Sequence, residues 1–305
     1  MDGYSLCAKN EISALSFSTD CCKRAFLSAI VHTCGSLIFS RGGMKVTLSV
    51  PTKAFPKKIK AVLCDLFGDG VKAEMKSGNL VLSGEKLLPA LAWLGIFSKS
   101  EEGELVVERG IRTPLIKEDC CAVNYLRGAF LGAGSMSLNG GYHLEIAPSS
   151  KTLAEDILKI MKRFGIKARL TERKEKHVVY IKDVEGVSDA LALMGASEAM
   201  LELNSESIIR QFRRDTNRRT NCEIANISKT VNASVRQNES IRYIEKKVGL
   251  ASLPEKLQAV AKARLEFPDE SFSYLADYLG LSKSTLKNRL NKLGEIAQKI
   301  KEEND

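Results

Sequence analysis

No run of apolar residues in this 305-residue chain approaches the ~18 residues of a membrane span. The opening Met1-Asp2-Gly3-Tyr4-Ser5 lacks the basic start and apolar core of a signal peptide. A cytoplasmic protein without a membrane role is therefore expected. The 8 cysteines are then expected to be reduced thiols. None of them forms a Cys-x-x-Cys knuckle, and the 3 histidines, His32, His143 and His177, are scattered. Neither a zinc site nor any cofactor is expected on this basis. Acids are in the minority, with 37 Asp and Glu against 46 Lys and Arg. The resulting net charge of +9 favours an anionic partner such as nucleic acid.

What the chain has instead is a duplication. Asp20-Cys21-Cys22 recurs as Asp119-Cys120-Cys121. The segment from Phe26 to Ser36 recurs from Tyr125 to Ser135, at the same offset of 99 residues (20 to 119, 36 to 135). Phe67-Gly68 is echoed by Phe164-Gly165, and Leu94-Gly95 by Met194-Gly195. A unit of this length exceeds the ~20–50 residues of a solenoid repeat and points to two similar half-domains about a pseudo-two-fold axis. The paired cysteines read as small, partly buried residues inherited through the duplication.

Each half shows the same order of elements. In the first, residues 1–100, a helix is predicted at about 20–33. A strand follows at 45–50, then a helix through Ile59, Val62, Leu63 and Leu66, two short strands at 71–75 and 80–82, and a helix at 85–94. In the second, residues 101–203, the series runs helix 120–133, strand 143–147, helix 153–164, strands 167–171 and 177–181, helix 187–194. Residues 101–113 join the halves, with Val106-Val107 as a short strand. This order makes an α+β domain.

Beyond residue 203 no strand signal remains. Residues 204–222 read as a basic linker in which Arg210, Arg213, Arg214, Arg218 and Arg219 face Asp215 as the one acid of 207–220. That run is either a flexible solvated connection or a track for phosphates. Residues 223–305 read as all-helical. Ile224, Ile227, Val231, Val235, Ile241, Ile244 and Val248 mark a long helix ended by Gly249, and Pro254 opens another. At 271–303 two short amphipathic helices meet at Gly280-Leu281, the second with Ser282 as its N-cap. This is the pattern of a helix-turn-helix, whose second helix enters the major groove of DNA. Ser284, Thr285, Lys287 and Asn288 are the candidates for base edges, because Asn pairs bidentately with adenine and Lys reaches guanine acceptors. Lys283, Arg289 and Lys292 are candidates for phosphate contact, together with Arg213, Arg214, Arg218 and Arg219 of the basic run. Double-stranded DNA is the expected partner. A protein-interaction adaptor, with the helix-turn-helix docked on a partner protein, stays open beside it.

The repeated helix, clearest as Leu126-Arg127-Gly128-Ala129-Phe130-Leu131-Gly132-Ala133-Gly134, resembles the LAGLIDADG motif of homing endonucleases. The resemblance implies two motif helices in close contact across a pseudo-two-fold axis, the approach allowed by small residues at four-residue spacing, Gly128 and Gly132 in the second copy and Ala29 and Thr33 in the first. It implies halves of αββαββα order whose sheets form a saddle over DNA. Nuclease chemistry there needs an acid just before the last glycine of each motif, to hold a divalent cation. Those positions are Cys34 and Ala133, so no catalytic residue is expected, and an active endonuclease is the remote alternative. Asp20 and Asp119, which open the helices, read as N-caps. With the stretch from Asn221-Cys222-Glu223-Ile224 to Gln237 and the ending Ser282–Leu293, the whole chain resembles the WhiA family of bacterial DNA-binding regulators. The resemblance implies a role in cell division, chromosome segregation or sporulation. Under it, the N-terminal domain is a repurposed scaffold for protein or supplementary DNA contacts. Oligomeric state is left open, a monomer being compatible.

Overall fold

A computed structural model describes residues 3–40, 43–138 and 140–303. Met1, Asp2, Asn304 and Asp305, which end the first and last expected units, lie outside the described residues. The chain divides into two compact units, 1–209 and 210–305.

The first unit opens with α1 (Gly3–Ala14), a helix not anticipated from the sequence. The first half then runs α2 (Asp20–Cys34), β1 (Gly35–Ser40), β2 (Gly43–Ser49), α3 (Phe55–Phe67), β3 (Lys72–Lys76), β4 (Asn79–Ser83) and α4 (Leu87–Trp93). A hairpin of β5 (Phe97–Lys99) and β6 (Leu105–Val107) joins it to the second half. There the order repeats as α5 (Asp119–Ala133), β7 (Gly134–Ser137), β8 (His143–Ile146), α6 (Lys151–Arg163), β9 (Arg169–Arg173), β10 (Lys176–Ile181) and α7 (Val184–Met194). Each half is thus αββαββα. The two antiparallel sheets have the same strand order, β1-β2-β4-β3 and β7-β8-β10-β9.

Period-two alternation sets which face of each sheet is buried. Val46 pairs with Leu82 and Leu48 with Leu80, and all four are buried. Leu144, Ile146, Val179 and Ile181 do the same in the second sheet. These residues pack with Ala25, Phe26, Ala29, Ile30, Ala122, Tyr125, Leu126, Ala129 and Phe130 of the two motif helices in one continuous core.

The segment expected as a basic linker, 204–222, is helix. It lies inside α8 (Ser197–Val248), a single helix of 52 residues. The correction has a plain cause: no Gly or Pro occurs between Ser197 and Val248, so composition changes without any residue that breaks a helix. At its start, the Glu11 carboxylate on α1 accepts the backbone N–H groups of Glu198 (2.8 Å) and Ala199 (2.9 Å). Those donors have no partner within their own helix. The apolar series read from the sequence is buried only at Ile241 and Ile244, while Ile224, Ile227, Val231 and Val235 are exposed.

The second unit continues with α9 (Glu255–Glu266), α10 (Phe272–Tyr278) and α11 (Lys283–Glu302). Its core joins Ile241 and Ile244 to Val260, Ala261, Leu275, Ala276, Leu286, Leu290, Leu293 and Ala297. Arg264 is 1% exposed within it. Its guanidinium donates to Gln237 Oε1 (3.1 Å) and to the Glu270 carbonyl (2.8 Å), and lies over the Phe272 ring. A cation is tolerable at this depth because it is hydrogen-bonded, and it fixes the loop that leads into α10.

Candidate functional site

In the second unit, Ser271 caps α10, its Oγ accepting from the Tyr274 N–H at 3.2 Å. The chain leaves α10 through Gly280 at φ 63°, left-handed backbone that a side chain would strain. The Leu281 N–H returns to the Ala276 carbonyl at 2.8 Å. Ser282 then caps α11 by accepting from the Thr285 N–H at 3.1 Å. Leu286, Leu290, Leu293 and Ala297 bury one stripe of α11, which leaves Lys283, Ser284, Lys287, Asn288, Asn291 and Lys292 exposed. No acid stands in the first turn.

The candidates are not equivalent. Thr285 is half-buried, and its Oγ1 lies 2.8 Å from Ser282 Oγ within the cap. Ser284 Oγ is 2.9 Å from the same oxygen. Arg289 turns toward α9, its guanidinium 3.5 Å from the Lys256 carbonyl. Lys292 is paired with Glu295 at 2.8 Å, and that pairing holds the Glu295 carboxyl below its ordinary range. Lys283, Lys287 and Asn288 are left as the outward groups of the first turns. On α8, Arg213, Arg214, Arg218 and Arg219 are all exposed. At 100° per residue the first three share one side with Arg210, whereas Arg219 falls on the other.

In the first unit, α2 and α5 run side by side in the same direction. A Cβ on Gly128 would stand 2.5 Å from the Phe26 carbonyl oxygen, and one on Gly132 would collide with the Thr33 hydroxyl. Close approach therefore requires glycine at both positions. His32 Nδ1 lies 2.9 Å from the Tyr125 hydroxyl across this interface. Its Nε2 is sealed from solvent without a partner among the described residues, and burial pulls the ring down to about 4. Asp20 and Asp119 are not N-caps. Thr19 and Glu118 hold those positions, and neither makes a side-chain cap hydrogen bond. The aspartates follow inside the helices, where Asp20 pairs with Lys23 (3.0 Å) and Asp119 with Arg163.

At the far end of the motif helices, the Cys34 thiol donates to the Ile30 carbonyl (3.3 Å), and burial pushes it up to about 12. Ala133 ends α5 with a methyl group. Lys9 of α1, 2% exposed, lies within electrostatic reach of Cys34, and burial lowers its ammonium to about 8. Lys9 had no signal in the sequence, because α1 itself was not anticipated. The first turns of α2 and α5 bring Cys21, Cys22, Cys120 and Cys121 together, a cluster that sequence spacing alone does not show.

The chain matches the model of the WhiA N-terminal LAGLIDADG-like domain over residues 20–79 and that of the WhiA LAGLIDADG-like domain over 122–213. Residues 216–297 match the WhiA C-terminal HTH domain. The probable cell division protein WhiA of Brevibacillus brevis is 36% identical over 307 residues, covering 96% of both chains. Its counterpart from Alkaliphilus oremlandii is 34% identical over 313 residues, covering 98% of both. Among solved structures, full-length DUF199/WhiA from Thermatoga maritima superposes with a TM-score of 0.54 at 24% identity over 96% of each chain, a likeness of fold. Two duplicated LAGLIDADG-like halves, a helix-turn-helix and relatives matched over nearly their whole length agree: the chain belongs to the WhiA family.

Proposed function

We propose that this protein is a sequence-specific DNA-binding regulator of cell division, chromosome segregation or sporulation, and not a nuclease. The supporting observation is the N-terminal part of α11. There Lys283, Ser284, Lys287 and Asn288 stand exposed beyond a closed Ser282 cap with no acid among them. An N-terminal helix end of this kind suits groove entry, with Asn288 and Lys287 on base edges and Lys283 on phosphate. The role in cell division follows the names of the relatives. In the first unit, the positions that would have to carry metal-binding acids hold a neutral thiol and a methyl group, Cys34 and Ala133. Neither group holds a hard divalent cation.

The test is binding of the full-length chain to DNA fragments across a salt series, with the preferred sites drawn from genome-wide occupancy. Counterion release makes affinity fall steeply with salt, by a log–log slope of about −0.9 per phosphate contact. A salt-insensitive interaction, or one unchanged by Lys287→Ala with Asn288→Ala, overturns this reading in favour of a protein-docking helix-turn-helix. Incubation with plasmid DNA and Mg²⁺ or Mn²⁺ is expected to leave the DNA intact. Metal-dependent cleavage that persists through a second independent purification overturns the loss of nuclease chemistry.

A further inference from the structure

Two pairs of adjacent cysteines, far apart in sequence, meet at the N-terminal end of the motif-helix pair. Cys21 and Cys22 lie in the first turn of α2, Cys120 and Cys121 in the first turn of α5. Their four Sγ atoms all lie within 4.8 Å of one another. A tetrahedral zinc ion with four thiolates at about 2.3 Å separates the sulfurs by about 3.8 Å, so small side-chain rotations close the set. All four donors are soft, with no carboxylate or imidazole among them. That selects a zinc-class ion over the hard cations of a nuclease.

Both pairs sit in the first turn of their helices, the end whose unbonded N–H groups and dipole favour negative charge. Neither Thr19 nor Glu118 uses its side chain to cap those groups. Arg24 and Arg127 lie within electrostatic reach of Cys121 and Cys22 respectively. Outside the sulfurs, Thr19 Oγ1 is 3.0 Å from Cys21 Sγ and Ser18 Oγ is 3.6 Å from Cys22 Sγ, positions from which hydroxyls orient metal ligands. Cys22 and Cys121 are buried while Cys21 and Cys120 are exposed, so an ion has both an inner seat and an entry path.

We infer that Cys21, Cys22, Cys120 and Cys121 form a four-thiolate structural zinc site that ties the two halves of the LAGLIDADG-like domain together at the start of their paired helices. The site is remote from Cys34 and Ala133, which lie 12–13 residues further along the same helices, about 18–20 Å along the axis. With four protein ligands it leaves no open coordination position, as structural rather than catalytic zinc requires.

The experiment uses the untagged full-length chain, expressed with zinc and purified under reducing conditions without chelator. One zinc per chain is expected by mass spectrometry of the metal, with an all-sulfur shell at about 2.3 Å by X-ray absorption. Replacement by Co²⁺ is expected to give the intense visible bands of a tetrahedral thiolate site. Cys21→Ser with Cys120→Ser, both at exposed positions, is expected to lose the metal, while Cys64→Ser with Cys222→Ser keeps it. Removing zinc from the unaltered protein is expected to lower its melting temperature, a readout that depends on no variant folding. The inference is overturned by four free thiols that take up no added zinc. It is equally overturned by a disulfide within the cluster in protein alkylated at lysis, or by zinc that follows Cys64 and Cys222 instead.

Discussion

A methyl group added to Gly128 would stand 2.8 Å from the Cβ of Ala29, on the opposing motif helix. Gly128→Ala should gain up to about 1 kcal/mol in helix propensity and lose about 1–3 kcal/mol to overpacking, because the second obstruction is the Phe26 backbone, which cannot rotate away. The net expectation is destabilisation. Gly294→Ala in α11, where nothing lies within 4 Å of the new methyl, isolates the propensity gain and should stabilise by up to about 1 kcal/mol. Urea unfolding of the two variants checks this, and the same sign for both would refute the close-approach argument.

On DNA, Asn288→Ala should cost roughly 1–3 kcal/mol on the preferred site and little on random sequence. Lys283→Ala should weaken all sequences together and reduce the salt slope by about one. Lys292→Ala should do the same to a smaller extent, since Glu295 already neutralises that lysine. Glu295→Gln should raise affinity for every sequence. Equal losses on specific and random DNA for Asn288→Ala would remove this residue from base readout.

His32 makes the first unit sensitive to acid. Its ring, held at about 4 in the fold, returns to an ordinary 6.5 on unfolding. Between these values the unfolded chain binds a proton that the native chain does not, so stability is complete above pH 6.5 and falls as pH drops toward 4. At about 1.4 kcal/mol per pH unit the full loss is about 3 kcal/mol. His32→Gln should flatten this part of the stability profile, measured by denaturant titration from pH 7 to pH 4.5.

Lys9 acts at the alkaline end. Burial lowers it from 10.5 to about 8, so below pH 8 the fold carries a buried cation, and stability rises as pH passes from 8 to 10.5. Lys9→Met should therefore stabilise the protein at pH 7, by up to about 3 kcal/mol, and abolish the alkaline rise. An unchanged alkaline rise in Lys9→Met would show that another group produces it.

The repeat was legible because the same letters at a fixed offset encode the same surroundings, and α2 and α5 do occupy equivalent places. The helix-turn-helix was legible because Leu275, Leu286, Leu290 and Leu293 sit at helical spacing around one glycine turn. Other features were hidden for particular reasons. Asp20 and Asp119 resemble caps by residue type, but a cap is set by where the helix starts, one residue earlier in each case. The four cysteines converge only through the two-fold arrangement, so a search for short spacings between ligands passes over them. Arg264 carried a usable signal. It follows Leu257, Val260 and Ala261 at i+7, i+4 and i+3, which places it on the buried stripe of α9.

Every residue of α8 from 211 to 232 is exposed. A helix that is wet on all sides gains nothing from burial and rests on local propensity, which is low in this Asn- and Thr-rich stretch. The cores to which Leu203 and Ile241 belong are separate. This stretch should accordingly fray first, exchanging its amide hydrogens well before either core does. Arg213, Arg214, Arg218 and Arg219 are then the first bonds open to trypsin, and brief digestion should yield two resistant fragments rather than a ladder.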